Sequence, residues 1–189
     1  MRHKYPTEAV VLARYPLAEE STLLALLTRD LGLVRARAQG LKKPGAKLAG
    51  ALQTLCESEV VLVAGREGWR VSGALLTQNR FSSLTPAARA AAGRMAGLLL
   101  RLVPGEAPDG ALFDVFAGFL RELSARPESE HDALECLAAL GVLRCLGLDA
   151  DETPGSVVSP YSEDALQAAM KDRHLFVARI NRGIAASGL

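Results

Sequence analysis

The cations of residues 34–53 are the side chains in this sequence that are best suited to binding phosphate. This segment carries five Lys or Arg and no Asp or Glu, although the whole chain has a net charge of only +1. The five are Arg35, Arg37, Lys42, Lys43 and Lys47. Because clustered cations without counter-charge attract polyanions, the segment predicts a binding site for a phosphate-bearing polymer. Charge alone leaves open a second interpretation, a basic loop that only aids solubility.

The first two cations lie on a segment that alternates like a β-strand. In "LVRARAQ", residues 33–39, alternate side chains share a face, so Leu33, Gln39 and the two arginines would point one way. The three residues between them are apolar and would face a core. The lysines extend the row through a Pro-Gly loop, and three further arginines are weaker candidates for the same surface. These are Arg14, Arg66 and Arg70.

The first eighty residues predict five short strands, at 7–15, 21–30, 31–39, 55–64 and 69–78. Glycine-containing turns follow the second and fourth strands, as expected for hairpins. The connection between the third and fourth strands is long, and its residues 46–55 resemble a short helix. Five strands with a helix at this position favour an oligonucleotide-binding (OB) barrel. The strand count does not exclude a flat sheet or an SH3-like barrel.

After residue 80 the apolar residues recur at helical spacing. Thr85 precedes Pro86 as an N-cap, and Asp109 and Ser162 begin two later helical segments in the same way. The sequence therefore predicts an α+β protein, with a nucleic-acid-binding barrel at 1–80 and an all-α helical bundle at 81–189. Lys and Arg outnumber Asp and Glu by twelve to seven before residue 81, and acids exceed bases afterwards. This division favours two modules with different partners.

The residue types that do catalysis or bind metals are sparse. The sequence has no nucleophile elbow, P-loop or dinucleotide fingerprint. His131, Glu135 and Cys136 lie close together on a predicted helix, but they fall short of a zinc ligand set, and first-turn acids are explained by the helix dipole. We therefore expect no enzyme, cofactor, metal or small-molecule substrate. Three cysteines without a CxxC pair, no apolar leader and no long apolar run predict a soluble cytoplasmic protein.

Aromatic residues constrain how such a barrel would bind its ligand. Stacking of bases requires Phe, Tyr or Trp, and residues 16–68 contain none. Trp69, Tyr5, Tyr15 and Phe81 are the aromatic residues nearby. We therefore expect binding through phosphates, with strong salt dependence and weak sequence preference.

The N-terminal half resembles the DNA repair protein RecO family. The resemblance lies in a T-E-A strand, an L-L-x-L-x-T strand, a strand that begins with glycine, a basic loop and a K/R-L-x-G segment. The matching residues are Thr7, Glu8, Ala9, Leu24, Leu26, Thr28, Gly32, Gly40, Lys42, Lys43, Lys47, Leu48 and Gly50. Looser similarity continues to about residue 150, where "CLAALGVLRCLGLDA" is similar to the third helix of the helical domain in that family.

The resemblance implies a non-enzymatic recombination mediator that is associated with the nucleoid. Such proteins bind single- and double-stranded DNA, anneal complementary strands and contact the single-stranded-DNA-binding protein SSB. With their partner RecR they help to load the recombinase RecA onto SSB-coated DNA. The SSB contact of the family lies in an apolar pocket with basic residues on the helical domain, and the resemblance assigns no residue of this chain to it.

The sequence departs from the family pattern after the third helix. Many members carry four zinc-binding cysteines there, whereas this chain reads "DADETPGSVVSP", without cysteine or histidine. We therefore expect no zinc and a shortened helical domain. Two rival functions remain open at the level of sequence. One is a protein-interaction module with a structural barrel, and the other is an RNA-binding OB protein.

Overall fold

Five strands form the first part of the computed structural model, which describes residues 3–17, 21–41, 46, 48–149 and 160–188. They are β1 (Lys4–Pro16), β2 (Ser21–Thr28), β3 (Gly32–Gln39), β4 (Cys56–Gly65) and β5 (Gly68–Asn79). Each overlaps one of the predicted strands. The alternation of apolar and polar residues therefore identified all five, and only their ends differ by a few residues.

The strands close into a barrel in the order β1-β2-β3-β5-β4. β3 and β5 pair in parallel, and every other neighbouring pair is antiparallel. The predicted OB-type barrel is therefore confirmed, and the flat sheet is excluded. Apolar side chains from all five strands fill the interior. Its fully or almost fully buried members include Val11, Leu24, Leu26, Val34, Ala36, Val60 and Leu62.

The hairpin turns depend on glycines with positive φ. Gly32 ends the β2–β3 turn at φ 75°, and Gly68 begins β5 at φ 90°. Side chains other than glycine rarely adopt such backbone angles. The Thr28 hydroxyl also holds the first turn, because it donates to the Gly32 carbonyl (2.8 Å) and accepts from the Leu31 amide (3.1 Å).

The predicted helix at residues 46–55 is not found, since the described residues 48–55 form successive turns. Contacts to the barrel explain the difference. The carbonyls of Gly50 and Ala51 accept from the side chains of Cys56 (3.6 Å) and Ser58 (2.6 Å). Leu55, at φ 63°, donates its amide to Val11 of β1 at 2.8 Å. These bonds hold the connection against the barrel, and only one backbone bond of α-helical spacing, from the Leu52 amide to the Leu48 carbonyl at 3.1 Å, is present in its described residues.

The segment Pro104–Phe113 belongs to the same compact unit as the barrel, Met1–Ser83. The Leu33 amide donates to the Gly105 carbonyl at 3.1 Å. The Arg29 guanidinium lies 4.6 Å from the centre of the Phe113 ring. Leu33 is only 4% exposed, although its strand register placed it on the outer face with the arginines. The packed segment accounts for this burial, which the alternation could not predict.

The second unit, Leu84–Val103 with Asp114–Leu189, has helices as its only regular secondary structure in its described residues. The helices in chain order are α1 (Arg80–Ser83, in the first unit), α2 (Pro86–Leu102), α3 (Gly110–Ala125), α4 (His131–Cys145), α5 (Glu163–Lys171) and α6 (Arg173–Ala186). All three predicted caps are present: the side chains of Thr85, Asp109 and Ser162 accept backbone amides three residues later.

α4 is the centre of the helical unit. It packs against α2, α5 and α6, and most of its residues are buried, which is typical of an interior helix. Tyr161 ties the chain before α5 to α3, because its buried hydroxyl donates to the Val115 carbonyl at 2.7 Å. Burial raises the pKa of this phenol far above its ordinary value, so it remains a neutral donor.

Candidate nucleic-acid interface

β3 presents its two arginines to solvent as its alternation predicted. Arg35, Arg37 and Gln39 are exposed, whereas Val34 and Ala36 are completely buried. The apolar face of the strand is fixed by the barrel core, so the cationic face has no freedom to turn inward. The fold therefore positions the arginine side chains on a rigid strand.

The parallel pairing of β3 with β5 adds a third arginine. Arg37 and Arg70 are register partners, and both side chains are exposed. Paired residues in a sheet project to the same side, and like charges in that position repel each other. Such an arrangement is unfavourable unless an anion lies between or beside the two guanidinium groups. The barrel thus places Arg37 and Arg70 side by side, although they are far apart in the sequence.

A surface groove of about 670 Å³ runs beside this pair. It is formed by the start of β2, the end of β3 and the β4–β5 turn. Its described lining includes Ser21, Arg37, Gln39, Arg66, Glu67, Trp69 and Arg70. Three of the predicted site residues, Arg37, Arg66 and Arg70, are therefore brought together. The β1–β2 and β4–β5 loops with strands 2 and 3 are where OB folds bind oligonucleotides.

Glu67 is the only acid among the described residues that line the groove. One of its carboxylate oxygens, Oε2, accepts from Arg37 Nη1 at 2.5 Å. The segment 34–53 alone indicated a cation cluster without counter-charge. The structure shows that Glu67 supplies one. The acid lies thirty residues away in sequence, in the turn "GREG", and the barrel closure brings it to β3.

An aromatic pair borders the groove. Trp69, the only tryptophan of the chain, is half-buried and meets Tyr5 edge to face, with ring centroids 5.1 Å apart. Its indole Nε1 donates to Glu106 at 2.7 Å. The indole is therefore held in place on both sides. Since it lines the groove, its fluorescence is a direct reporter of anything that binds there.

The other predicted cations lie elsewhere. Arg35 is exposed on β3 but is not among the residues that line the groove. Arg14 is half-buried on β1, opposite Leu24 in the strand register. Burial raises the pKa of the Cys56 thiol overall, and a backbone hydrogen bond of Gln53 and the charge of Arg14 offset this only in part. Lys42, Lys43 and Lys47 lie outside the described residues.

The sequence analysis placed Gln39 on the arginine face of β3 but did not assign it to the site. It missed Glu67 and Ser21 as groove residues. One available observation points to them, namely the strand order of an OB barrel. That order sets β5 beside β3, so the turn before β5 and the start of β2 must lie near the arginines of β3. The positions follow once the topology is assumed, but the ion pair between Glu67 and Arg37 does not.

The helical unit holds a second groove, of about 440 Å³, between α2, α4 and α6. Its floor is apolar, with Met95, Leu98, Ala139 and Ile180, and its rim carries two ion pairs. In one pair, Arg94 binds Glu135 of α4. In the other, Arg173 binds Asp132 and holds the pKa of that carboxyl below its ordinary value.

His131, Glu135 and Cys136 make separate contacts within this unit. Glu135 binds Arg94, and His131 Nε2 lies 3.1 Å from the Arg126 carbonyl. Burial raises the pKa of the Cys136 thiol. Within the described residues, no group of His, Cys, Asp and Glu is arranged to hold a metal ion. No described helix is long and apolar enough to cross a membrane.

Comparison with known proteins supports the same interpretation of the N-terminal half. Residues 1–80 match the family model described as "Recombination protein O N terminal". The chain is 31% identical over 129 residues to the DNA repair protein RecO of Dehalococcoides mccartyi, covering 68% of this chain and 51% of the relative. It is 30% identical over 149 residues to that of Cyanothece sp., covering 78% and 51%.

The RecO protein of Desulforudis audaxviator is 33% identical over 131 residues, or 69% of this chain and 51% of that protein. The chain thus spans about half the length of the curated relatives it matches. Each match extends over more residues than the barrel alone, and the barrel has the OB-type strand order. Residues 1–80 therefore match the N-terminal domain of the RecO family, and the similarity to RecO proteins continues beyond the barrel.

Proposed function

We propose that this chain binds DNA through phosphate contacts on the barrel and acts in DNA repair and recombination without being an enzyme. The observation that carries the proposal is the groove where Arg37, Arg66 and Arg70 converge beside β3. Guanidinium groups bind phosphate oxygens through charge-assisted hydrogen bonds. Contacts to phosphates carry no sequence information, so single- and double-stranded DNA of any sequence are suitable ligands.

The predicted loop lysines would extend this surface beyond the groove. Changing Lys42, Lys43 and Lys47 together to alanine should weaken binding to all sequences alike. For a single strand, each lost phosphate contact flattens the slope of log K against log salt by about 0.7, so the slope should fall by about two units. The measurement is the anisotropy of a labelled oligonucleotide over a series of salt concentrations.

A charge-matched variant controls for net charge. Arg101, Arg121 and Arg182 are exposed on the helical unit, and replacing them by alanine removes the same three charges. That variant should bind like the wild type. Unchanged affinity in the lysine variant would remove the three lysines from the site. Absence of any binding at low salt would instead favour the protein-interaction module, and stronger competition by RNA than by DNA of the same sequence would favour the RNA-binding alternative.

The finer role is recombination mediator, with SSB and RecR as partners. It is supported by the similarity to RecO proteins. The second groove has the apolar floor expected of an SSB contact, and its two arginines are engaged by Glu135 and Asp132. The test is strand annealing. Complementary oligonucleotides coated with SSB should anneal faster when the protein is added, by at least about tenfold over the spontaneous rate. DNA binding without such acceleration would contradict mediator function and leave a DNA-binding barrel.

A further inference from the structure

The ion pair between Glu67 and Arg37 lies where a ligand phosphate would lie. Arg37 is the groove cation on β3, and Glu67 stands at the tip of the β4–β5 turn between Arg66 and Gly68. A carboxylate and a phosphodiester both offer oxygens of partial negative charge to a guanidinium group. One contact on Arg37 therefore serves either anion, and the two compete for it.

We infer that Glu67 is an intramolecular substitute for phosphate, which occupies Arg37 in the free protein and is displaced when nucleic acid binds. The inference rests on the proposed function and adds to it a specific phosphate subsite and the residue that limits affinity there. Glu67 also partly neutralises the repulsion between the register partners Arg37 and Arg70 in the free state.

Exposure makes the exchange feasible. The side chains of Arg37 and Glu67 are 49% and 78% exposed. Exposed ion pairs contribute little to stability, because solvent and salt screen them and both side chains lose conformational freedom. Gly65 and Gly68 flank the turn residues Arg66 and Glu67. Because glycine has no Cβ, the backbone on both sides of this turn has more conformational freedom than other residues would allow. A polyanion that brings several phosphates at once can therefore replace this carboxylate.

The experiment is a double-mutant cycle with Glu67→Gln and Arg37→Gln. Glu67→Gln keeps the shape of the side chain and removes the competing charge. Arg37 then gains one phosphate contact that it otherwise makes only by breaking the ion pair. With a single-stranded oligonucleotide at about 0.1 M salt, we expect affinity to rise about fivefold and the salt slope to steepen by about 0.7.

The cycle separates competition from simple charge removal. In the Arg37→Gln background, Glu67→Gln should change affinity less than about twofold, because no guanidinium remains for the two anions to share. The control variant is Glu59→Gln. Glu59 is exposed on β4, does not line the groove, and carries the same charge. It should leave affinity within about twofold of the wild type.

Each outcome decides between distinct conclusions. A gain that disappears without Arg37 supports the inference. An unchanged affinity in Glu67→Gln, an equal gain in the Arg37→Gln background, or an equal gain from Glu59→Gln would overturn it while leaving DNA binding intact. If neither the wild type nor Glu67→Gln binds an oligonucleotide at low salt, both the inference and the proposed function are wrong.

Discussion

Changing Arg37, Arg66 and Arg70 together to glutamine is expected to weaken binding of a single-stranded oligonucleotide about 100-fold at 0.1 M salt. Three lost phosphate contacts flatten the slope of log K against log salt by about two units. At about 0.1 M salt, that change lowers the binding constant by about two powers of ten. Glutamine retains a polar side chain of similar reach, so the variant removes charge more than shape. All three side chains are exposed, and the thermal midpoint should therefore stay close to that of the wild type.

Two measurements check this prediction. Anisotropy of a labelled oligonucleotide gives affinity and salt slope, and the fluorescence of Trp69, which lines the groove, reports whether the ligand lies there. The control is the glutamine version of the charge-matched triple variant on the helical unit, Arg101, Arg121 and Arg182. If both triple variants lose the same affinity, the protein binds through long-range net charge and the groove is not the site.

The contrast between these arginines and the loop lysines also separates two parts of the proposed surface. Arg37 and Arg70 lie on strands whose register the barrel core fixes, so their positions are set before any ligand arrives. A loss confined to the arginine variant would place the ligand along β3 and β5. A larger loss in the lysine variant would move its centre to the β3–β4 connection.

The strands and helices were predictable because the signals for them are local. Alternation identified the strands, glycine identified the tight turns, and Thr85, Asp109 and Ser162 identified where helices begin. The connection at 46–55 was predicted as a helix because its composition is helix-forming. Its described residues 48–55 form turns instead, since the carbonyls of Gly50 and Ala51 bond to Cys56 and Ser58, partners that belong to β4. Tertiary hydrogen bonds here override local propensity.

Only the part of the candidate site that lies on the single strand β3 was predictable from the sequence. The outward orientation of Arg35 and Arg37 follows from the period of two, and the structure confirms it. The parallel partner Arg70 and the counter-charge Glu67 both depend on barrel closure, which joins residues about thirty positions apart. Leu33 shows the same limit, because the segment that packs beside it begins at Pro104, more than seventy residues later.

Replacing Gly32 by alanine is the substitution for which we expect the largest loss of stability in the barrel unit. The residue has φ 75°, and the left-handed region costs a residue with a Cβ about 1–2 kcal/mol. An added Cβ would lie 2.2 Å from the carbonyl oxygen of Ala107 and 2.7 Å from its amide nitrogen. Both are backbone atoms, so the segment Pro104–Phe113 must move away from β3.

That movement would also break the hydrogen bond from the Leu33 amide to the Gly105 carbonyl, worth about 1 kcal/mol. We therefore expect the free energy of unfolding to fall by at least about 3 kcal/mol. Gly68→Ala is the matched control, since Gly68 has φ 90° but no heavy atom within 4 Å of an added Cβ. It should lose only the backbone cost of about 1–2 kcal/mol.

Urea denaturation followed by Trp69 fluorescence measures both variants, because the only tryptophan lies in the barrel unit and reports its unfolding separately from the helices. The difference between the two glycines isolates the contact with Ala107 from the backbone angle that they share. Equal losses would mean that the Pro104–Phe113 segment yields freely and contributes little to the barrel. A clear excess for Gly32→Ala would establish that this distant segment is an integral part of the domain that carries the arginines.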